Sequence, residues 1–252
     1  MAPTGSGLAA RARAWHHAAH AAICDVLEPW AHGTVVRATR YPQFWDYNAV
    51  RVEEDPGMSA DELVTFADEA LAEVAHRRID FEQVEPAEPL RRRFAALGWL
   101  TQRLVWMHQE AAPPPRPAID VQEVPYDAVE DLRIAWHRED FPGHELGDHL
   151  AEAREVAHSR GVQVLAVLEA GAPVAFAQLV RGGHSAEIEQ VYVRPDHRGR
   201  GLGTATTSTA IEAAGDVDDL WIVADDEGRP KELYGRLGFR PGWKLLQTLR
   251  LP

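Results

Sequence analysis

Residues 187–209, reading EIEQVYVRPDHRGRGLGTATTST, constrain this chain more than any other stretch. The segment opens as a strand-like apolar run (Ile188, Val191, Val193) and breaks at Arg194-Pro195. It then resumes after a glycine-rich turn as a helix-compatible stretch. Gly199, Gly201 and Gly203 leave alternate positions without side-chain bulk, so the amides of residues 199–204 can converge on an oxyanion. The dipole of the helix that follows adds roughly half a positive charge at the same point. Strand, turn and helix together predict an anion site, and a phosphate suits it best.

The spacing decides which phosphate motif this is. A P-loop requires Gly-Lys-Ser/Thr at the helix start, and a dinucleotide fingerprint requires an early strand with an acidic residue about twenty positions on. Neither is present. The run Arg198-Gly199-Arg200-Gly201-Leu202-Gly203 instead resembles the Arg/Gln-x-x-Gly-x-Gly/Ala signature of the GNAT acyltransferase superfamily, where it cradles the pyrophosphate of acetyl-coenzyme A. Downstream, Leu233-Tyr234-Gly235-Arg236-Leu237-Gly238-Phe239 is similar to the Leu-Tyr-x-x-Leu-Gly-Phe of that family. The resemblance implies an α/β (α+β) fold, with a mixed, mostly antiparallel central sheet flanked by helices, and acetyl-CoA as co-substrate. It further implies that Val191, Tyr192 and Val193 line the pantetheine, and that Arg198, Gly199, Arg200, Gly201, Leu202, Gly203 and Thr204 hold the phosphates. Asp226 stands where the family often has Asn; it keeps an acceptor but lacks the amide donor.

Composition narrows the partners. A formal net charge of -13 argues against a nucleic-acid backbone and is compatible with a cationic amine acceptor. No apolar run approaches the roughly 20 residues needed to span a bilayer, and the N-terminus lacks a cleavable leader pattern, so a cytoplasmic protein without a membrane partner is expected, as monomer or homodimer. The single cysteine, Cys24, forms no internal disulfide. It recurs with His16 and His20 every four positions on an alanine-rich helical stretch, residues 8–30, and the expectation is a packed stripe rather than a metal site.

Two strands are expected at residues 34–40 and 44–52. A helix then starts at Ser59, which is spaced with Glu62 as a capping box, and Leu63, Phe66, Ala67, Ala70 and Leu71 follow the helical rule. A strand (79–84), a helix (90–97) and a strand (99–107) follow. The proline-rich 111–118 cannot continue either element and reads as a linker between a domain at 1–110 and a second at 119–252. The second domain reads as a strand (119–124), a helix from Asp127, a helix carrying Leu146, Leu150, Ala153 and Ala157, and strands at 162–168 and 174–180. The central strand and glycine turn come next, then a strand (220–223), a helix (230–237) and a strand (244–251). That order is the one the resemblance predicts.

The two halves repeat each other. Val50-Arg51-Val52 matches Val191-Tyr192-Val193, and Phe94-Ala95-Ala96-Leu97-Gly98-Trp99 matches residues 234–239 at a nearly equal offset. The chemistry differs. Where the second copy has its Gly/Arg turn, the first has Pro56-Gly57-Met58-Ser59-Ala60-Asp61-Glu62, whose carboxylates repel a phosphate. Phe94 stands in place of Tyr234. A tandem arrangement follows, with a degenerate, non-catalytic N-terminal GNAT-like domain and an intact C-terminal one.

Acyl transfer to an amine needs a neutral amine, a polarised carbonyl and a protonated leaving thiolate. Glu187, eleven positions before Arg198, matches the catalytic glutamate of histone-type members, and strand alternation extends the side it shares with Glu189 to Val191 and Val193. His184 is a lesser candidate. By resemblance, the Val191 amide supports the thioester oxygen and Tyr234 protonates the thiolate. Acceptor recognition falls to residues 136–149, with Trp136, Asp140, Phe141, His144, Asp148 and His149. From Ile119 onward 23 acidic residues face 14 basic ones, which favours a small, positively charged amine. The expected activity is direct acetyl transfer, with a coenzyme-A-sensing or scaffold protein as the alternative.

Overall fold

The computed structural model describes residues 4–252. The chain divides into two compact units. The first comprises residues 4–106 with Ala224–Gly228 and Gly242–Pro252, and the second Met107–Val223 with Arg229–Pro241. The sequence expectation put 119–252 in one domain behind a boundary at 111–118. In the structure the division falls inside a strand at Trp106/Met107, and the C-terminal tail packs with the first unit. Trp106 and Trp243 explain this: their rings lie 4.8 Å apart, and the Trp243 indole donates to the carbonyl of Glu82.

The first unit contains α1 (Thr4–Ile23), β1 (Val26–Trp30), β2 (Gly33–Arg37), β3 (Ala49–Val52), α2 (Ala60–Ala70), β4 (Arg77–Phe81), α3 (Val84–Ala87), α4 (Arg91–Ala96) and most of β5 (Leu100–Gln109). β1, β2 and β3 pair antiparallel and β3 pairs parallel with β4. The helix expected over 8–30 stops at Ile23. Pro29 cannot continue it, and Asp25 turns its carboxylate to the amide and hydroxyl of Thr39. The strand expected from residue 44 begins only at Ala49. The Asn48 amide donates to the carbonyls of Tyr41 and Phe44 and accepts from the Ala38 amide, which holds the preceding residues in a tight turn. The stripe of His16, His20 and Cys24 is packed: His20 lies against the Asp46 carbonyl, Cys24 donates to that of Tyr47, and His16 packs against Trp106.

The second unit contains β6 (Gln122–Val124), α5 (Glu130–Asp140), α6 (His149–Ser159), β7 (Gln163–Glu169), β8 (Ala172–Gly182), β9 (Ser185–Val193), α7 (Leu202–Ala214), the start of β10 (Asp219–Asp225), α8 (Pro230–Arg236) and the start of β11 (Phe239–Arg250). β6, β7, β8 and β9 pair antiparallel in sequence order, and β9 pairs parallel with β10. Val129, Leu132 and Ala157 from the helical layer bury Val164, Ala166, Phe176 and Tyr192 on one face of this sheet. Leu202 from α7 packs on Val167, Val174 and Ala175. Each unit is thus a mixed, mostly antiparallel sheet flanked by helices, as expected. Among the described residues no helix is long and apolar enough to cross a membrane.

The end of β11 returns to the first unit and pairs antiparallel with β4 from Leu246↔Phe81 to Arg250↔Arg77. Both units repeat β-α-β-α-β after their antiparallel strands. The α4 turn, in which Leu97 N donates to Phe94 O at 3.0 Å, recurs in α8 as Leu237 N to Tyr234 O at 3.0 Å. Phe94 sits 5.3 Å from the Trp99 ring as Tyr234 sits 6.4 Å from that of Phe239.

The head of α2, counterpart of the glycine turn, is filled from within. Ser59 Oγ accepts from the Glu62 amide and the Glu62 carboxylate accepts from the Ser59 amide. Asp61 at the same end is held by Arg93. Replacing this cap, Ser59→Ala, is expected to lower the unfolding free energy by about 1 kcal/mol, read as a shifted midpoint in chemical denaturation.

Candidate functional site

The site begins where two strands part. β9 pairs with β10 from Ser185↔Asp219 only as far as Ile188↔Ile222, yet it continues to Val193. Its other neighbour stays paired throughout, with one irregularity. Gln178 opposes Glu189 and Phe176 opposes Tyr192, so Gln190 and Val191 together face the single Ala177. This is a β-bulge, and Gln190 takes the left-handed conformation (φ 51°) that non-glycine residues rarely adopt. Arg133 of α5 stabilises it by donating to Gln190 Oε1 while its guanidinium lies 4.8 Å over the Tyr126 ring.

The bulge overturns one expectation. Simple alternation would put Glu187, Glu189, Val191 and Val193 on one side of the strand. The extra residue reverses the order, so Glu187 and Glu189 share a face with Tyr192, and Val193 lies on the other, against Leu202. Glu187 is buried between Val180 and Trp221, and Glu189 is tied to Arg160 at 2.9 Å. Neither borders the cavity described next.

Beyond the bulge a cavity of about 800 Å³ opens. One wall is Val191, Tyr192 and Val193; the floor is Gly199, Gly201, Leu202, Gly203 and Thr204 at the head of α7; the far wall is Leu233 and Tyr234 of α8. Gly199 and Gly201 sit at φ 77° and 82°, where a side chain is strained, and those conformations let the turn present its amides at the helix N-terminus. Arg198 lines the cavity too. It donates to the Val193 carbonyl at 3.0 Å and to Glu139 at 2.7 Å, and its guanidinium stands 5.7 Å from the Tyr192 ring.

Three residues read from the sequence as binding or flanking this site lie elsewhere. Arg200 points to Glu169, and that ion pair holds the carboxyl of Glu169 below its usual range. Asp226 belongs to the first unit, where Arg103 and Lys244 both donate to its Oδ2 at 2.7 and 2.8 Å. A buried carboxylate with two cations in place has no need of a coenzyme amide. His184 likewise does not border the cavity.

The structure adds residues that the motifs did not name. Trp136 and Glu139 of α5 join the wall; Trp136 stacks on Tyr192, their rings 5.6 Å apart at 16°. Arg229, Glu232 and Arg236 come from α8 and its approach. Trp136 lay within the stretch expected to meet the acceptor, and helical spacing from Trp136 would have found Glu139 nearby. The α8 charges carried no sequence signal.

Tyr234 is 5% exposed, and burial pushes its phenol above the usual tyrosine range. It is therefore protonated at neutral pH. In the first unit the same position is Phe94, and the strands do not part there. β3 and β4 pair to their ends at Val52↔Phe81, and the Glu82 amide donates to the Val52 carbonyl. The corresponding hollow, beside Val52, Pro56 and Phe81, holds about 20 Å³.

Comparison with known proteins relates the part of the chain that builds this cavity to acetyltransferases. Residues 126–239, a little under half of the chain, match the Acetyltransferase (GNAT) family. An uncharacterized N-acetyltransferase of Methanocaldococcus jannaschii is 45% identical over 58 residues, which is 21% of this chain and 25% of that protein's length. A conserved protein of unknown function from Staphylococcus epidermidis superposes with a TM-score of 0.70 at 15% identity, covering 90% of this chain and 94% of the other. A tandem GNAT protein from the clavulanic acid biosynthesis pathway superposes at 0.51 and 16% identity, covering 79% and 74%. The last two share the fold.

Gly201→Asp puts a side chain and a negative charge at a left-handed position on the cavity floor. It is expected to raise the dissociation constant for coenzyme A at least tenfold, about 1.4 kcal/mol, in calorimetric titration of a variant whose circular dichroism matches wild type.

Proposed function

We propose that this chain is an acetyl-CoA-dependent N-acyltransferase that moves an acetyl group directly to the primary amine of a small, cationic acceptor. The observation that carries the reading is the pair of left-handed glycines at the head of α7, opening into a cavity whose far wall holds a buried, protonated tyrosine. The match of residues 126–239 to the GNAT family supports acyl-CoA-dependent acetyl transfer as the general chemistry. The acceptor and the direct route are inferred from this chain's own residues.

The residues present fit the coenzyme. The turn amides and Arg198 suit a pyrophosphate, and the strand edge that β10 has left suits an extended, amide-bearing arm. Bound acetyl-CoA would supply the activated acetyl group. The Val191 amide is the donor for the thioester oxygen. As the amine nitrogen bonds to the carbonyl carbon and the carbon–sulfur bond breaks, Tyr234 gives its proton to sulfur. Glu187 and Glu189, set back from the wall, take the amine's proton only through intervening water. No cysteine lies in residues 107–252 to carry an acyl group, which favours direct transfer. The first unit, with its closed strands, capped helix and Phe94, acts as a non-catalytic copy, so acetyl-CoA is expected to bind at one site per chain by calorimetry.

An amine panel with acetyl-CoA, followed by release of free thiol, tests the reading; no release with any amine, despite tight coenzyme binding, would overturn it in favour of a sensor. Tyr234→Phe is expected to lower kcat by roughly 10 to 10⁴-fold with little change in acetyl-CoA affinity. Because the phenol is pushed upward, the loss of its proton, and the matching alkaline limb of kcat, should appear only above a pH of about 10.

A further inference from the structure

The first unit places three potential ligands together at the carboxyl ends of its parallel strands. Glu53 follows β3 directly, Glu82 follows β4 directly, and His17 comes down from α1; their nearest ligand atoms all lie within 4.8 Å of one another. Nothing in the acyl-transfer reading uses them.

Hydrogen bonds hold both carboxylates in place. Glu53 Oε1 is fixed by the Thr34 hydroxyl at 2.8 Å and by Arg51 Nη2 at 3.0 Å, and among the described residues Oε2 takes no hydrogen bond. The Glu82 side chain is 1% exposed, and among the described residues its one partner is His17 Nε2, 2.5 Å from Oε1. A carboxylate taken this far out of water needs a positive charge beside it. The backbones are anchored as well. Glu53 N donates to His32 O, Glu82 N donates to Val52 O, and Trp243 donates to Glu82 O. His17 and Glu53, each with about a third of its side chain exposed, face solvent, and Glu82 does not.

We propose that His17, Glu53 and Glu82 bind one first-row divalent cation, Zn²⁺ or a similar ion, which ties α1 to the ends of β3 and β4. One imidazole and two carboxylates are a donor set such ions accept. Ligand atoms around an ion with bonds of about 2.1 Å lie roughly 3.4 Å apart, so small side-chain rotations convert the present spacing to a coordination shell. The ion takes the place of the hydrogen bond between His17 Nε2 and Glu82 Oε1. Arg51 and Thr34 remain as hydrogen-bond donors that hold Glu53 in place.

The test uses the full chain without an affinity tag, stripped with chelator and titrated with Zn²⁺ by calorimetry and in thermal melts. One ion per chain and a melting temperature raised by several degrees are expected. His17→Ala and Glu53→Gln should each weaken binding at least tenfold and abolish the thermal shift. No binding to wild type would overturn the proposal and leave a simple imidazole–carboxylate pair. Variants that bind as wild type does would also overturn it, assigning the ion to other surface histidines. If a variant loses helix content, the visible spectrum of wild type with Co²⁺ decides: intensified d–d bands support the site, and the weak spectrum of the aqueous ion refutes it.

Discussion

The candidate active site depends on β9 leaving its parallel neighbour at Ile188 while remaining paired on the other side. A strand held on both edges offers no backbone to a ligand; one released on a single edge offers a row of amides and carbonyls without becoming mobile. The bulge at Gln190 and Val191 sits immediately past the release point, where added twist turns the remaining residues along the cavity wall. Arg133 holds that bulge from the helical layer, so α5 contributes to the site by fixing backbone geometry as well as by supplying Trp136 and Glu139.

The same topology occurs in the first unit, and the comparison isolates what makes a cleft. There β3 and β4 remain paired to their ends, and the strand termini meet instead of parting. The helix that follows β3 begins with its own serine and glutamate satisfying the amides that α7 presents to its cavity. A helix N-terminus can serve a ligand or its own side chains, and the glycines of α7 leave that end open. The polar chemistry of the first unit has gathered elsewhere, at His17, Glu53 and Glu82.

Both units also draw on distant chain. The end of β11 pairs with β4 of the first unit, and Asp226 accepts from Arg103 and Lys244 there. The proline-rich stretch looked like the natural boundary because it forms neither helix nor strand. Membership in a unit is settled by packing, however, and Trp106 and Trp243 pack with the first.

The sequence by itself determined the local chemistry: the glycine turn at a strand-to-helix junction, the Leu-Tyr-x-x-Leu-Gly-Phe helix, the Ser59–Glu62 cap and the duplication. Each rests on short-range rules of sterics, dihedral preference and periodicity, which residues a few positions apart satisfy on their own. Only the tertiary structure decided which side of β9 each residue faces, because one unpaired residue in a bulge reverses the parity of everything after it and leaves no composition signature. It alone decided that Glu187 and Glu189 stand back from the cavity, that Arg200 and Asp226 are spent on ion pairs, and that His17 meets two glutamates from strands far along the chain. Those are long-range meetings, fixed by which strands pair and where they part, and no local pattern encodes them.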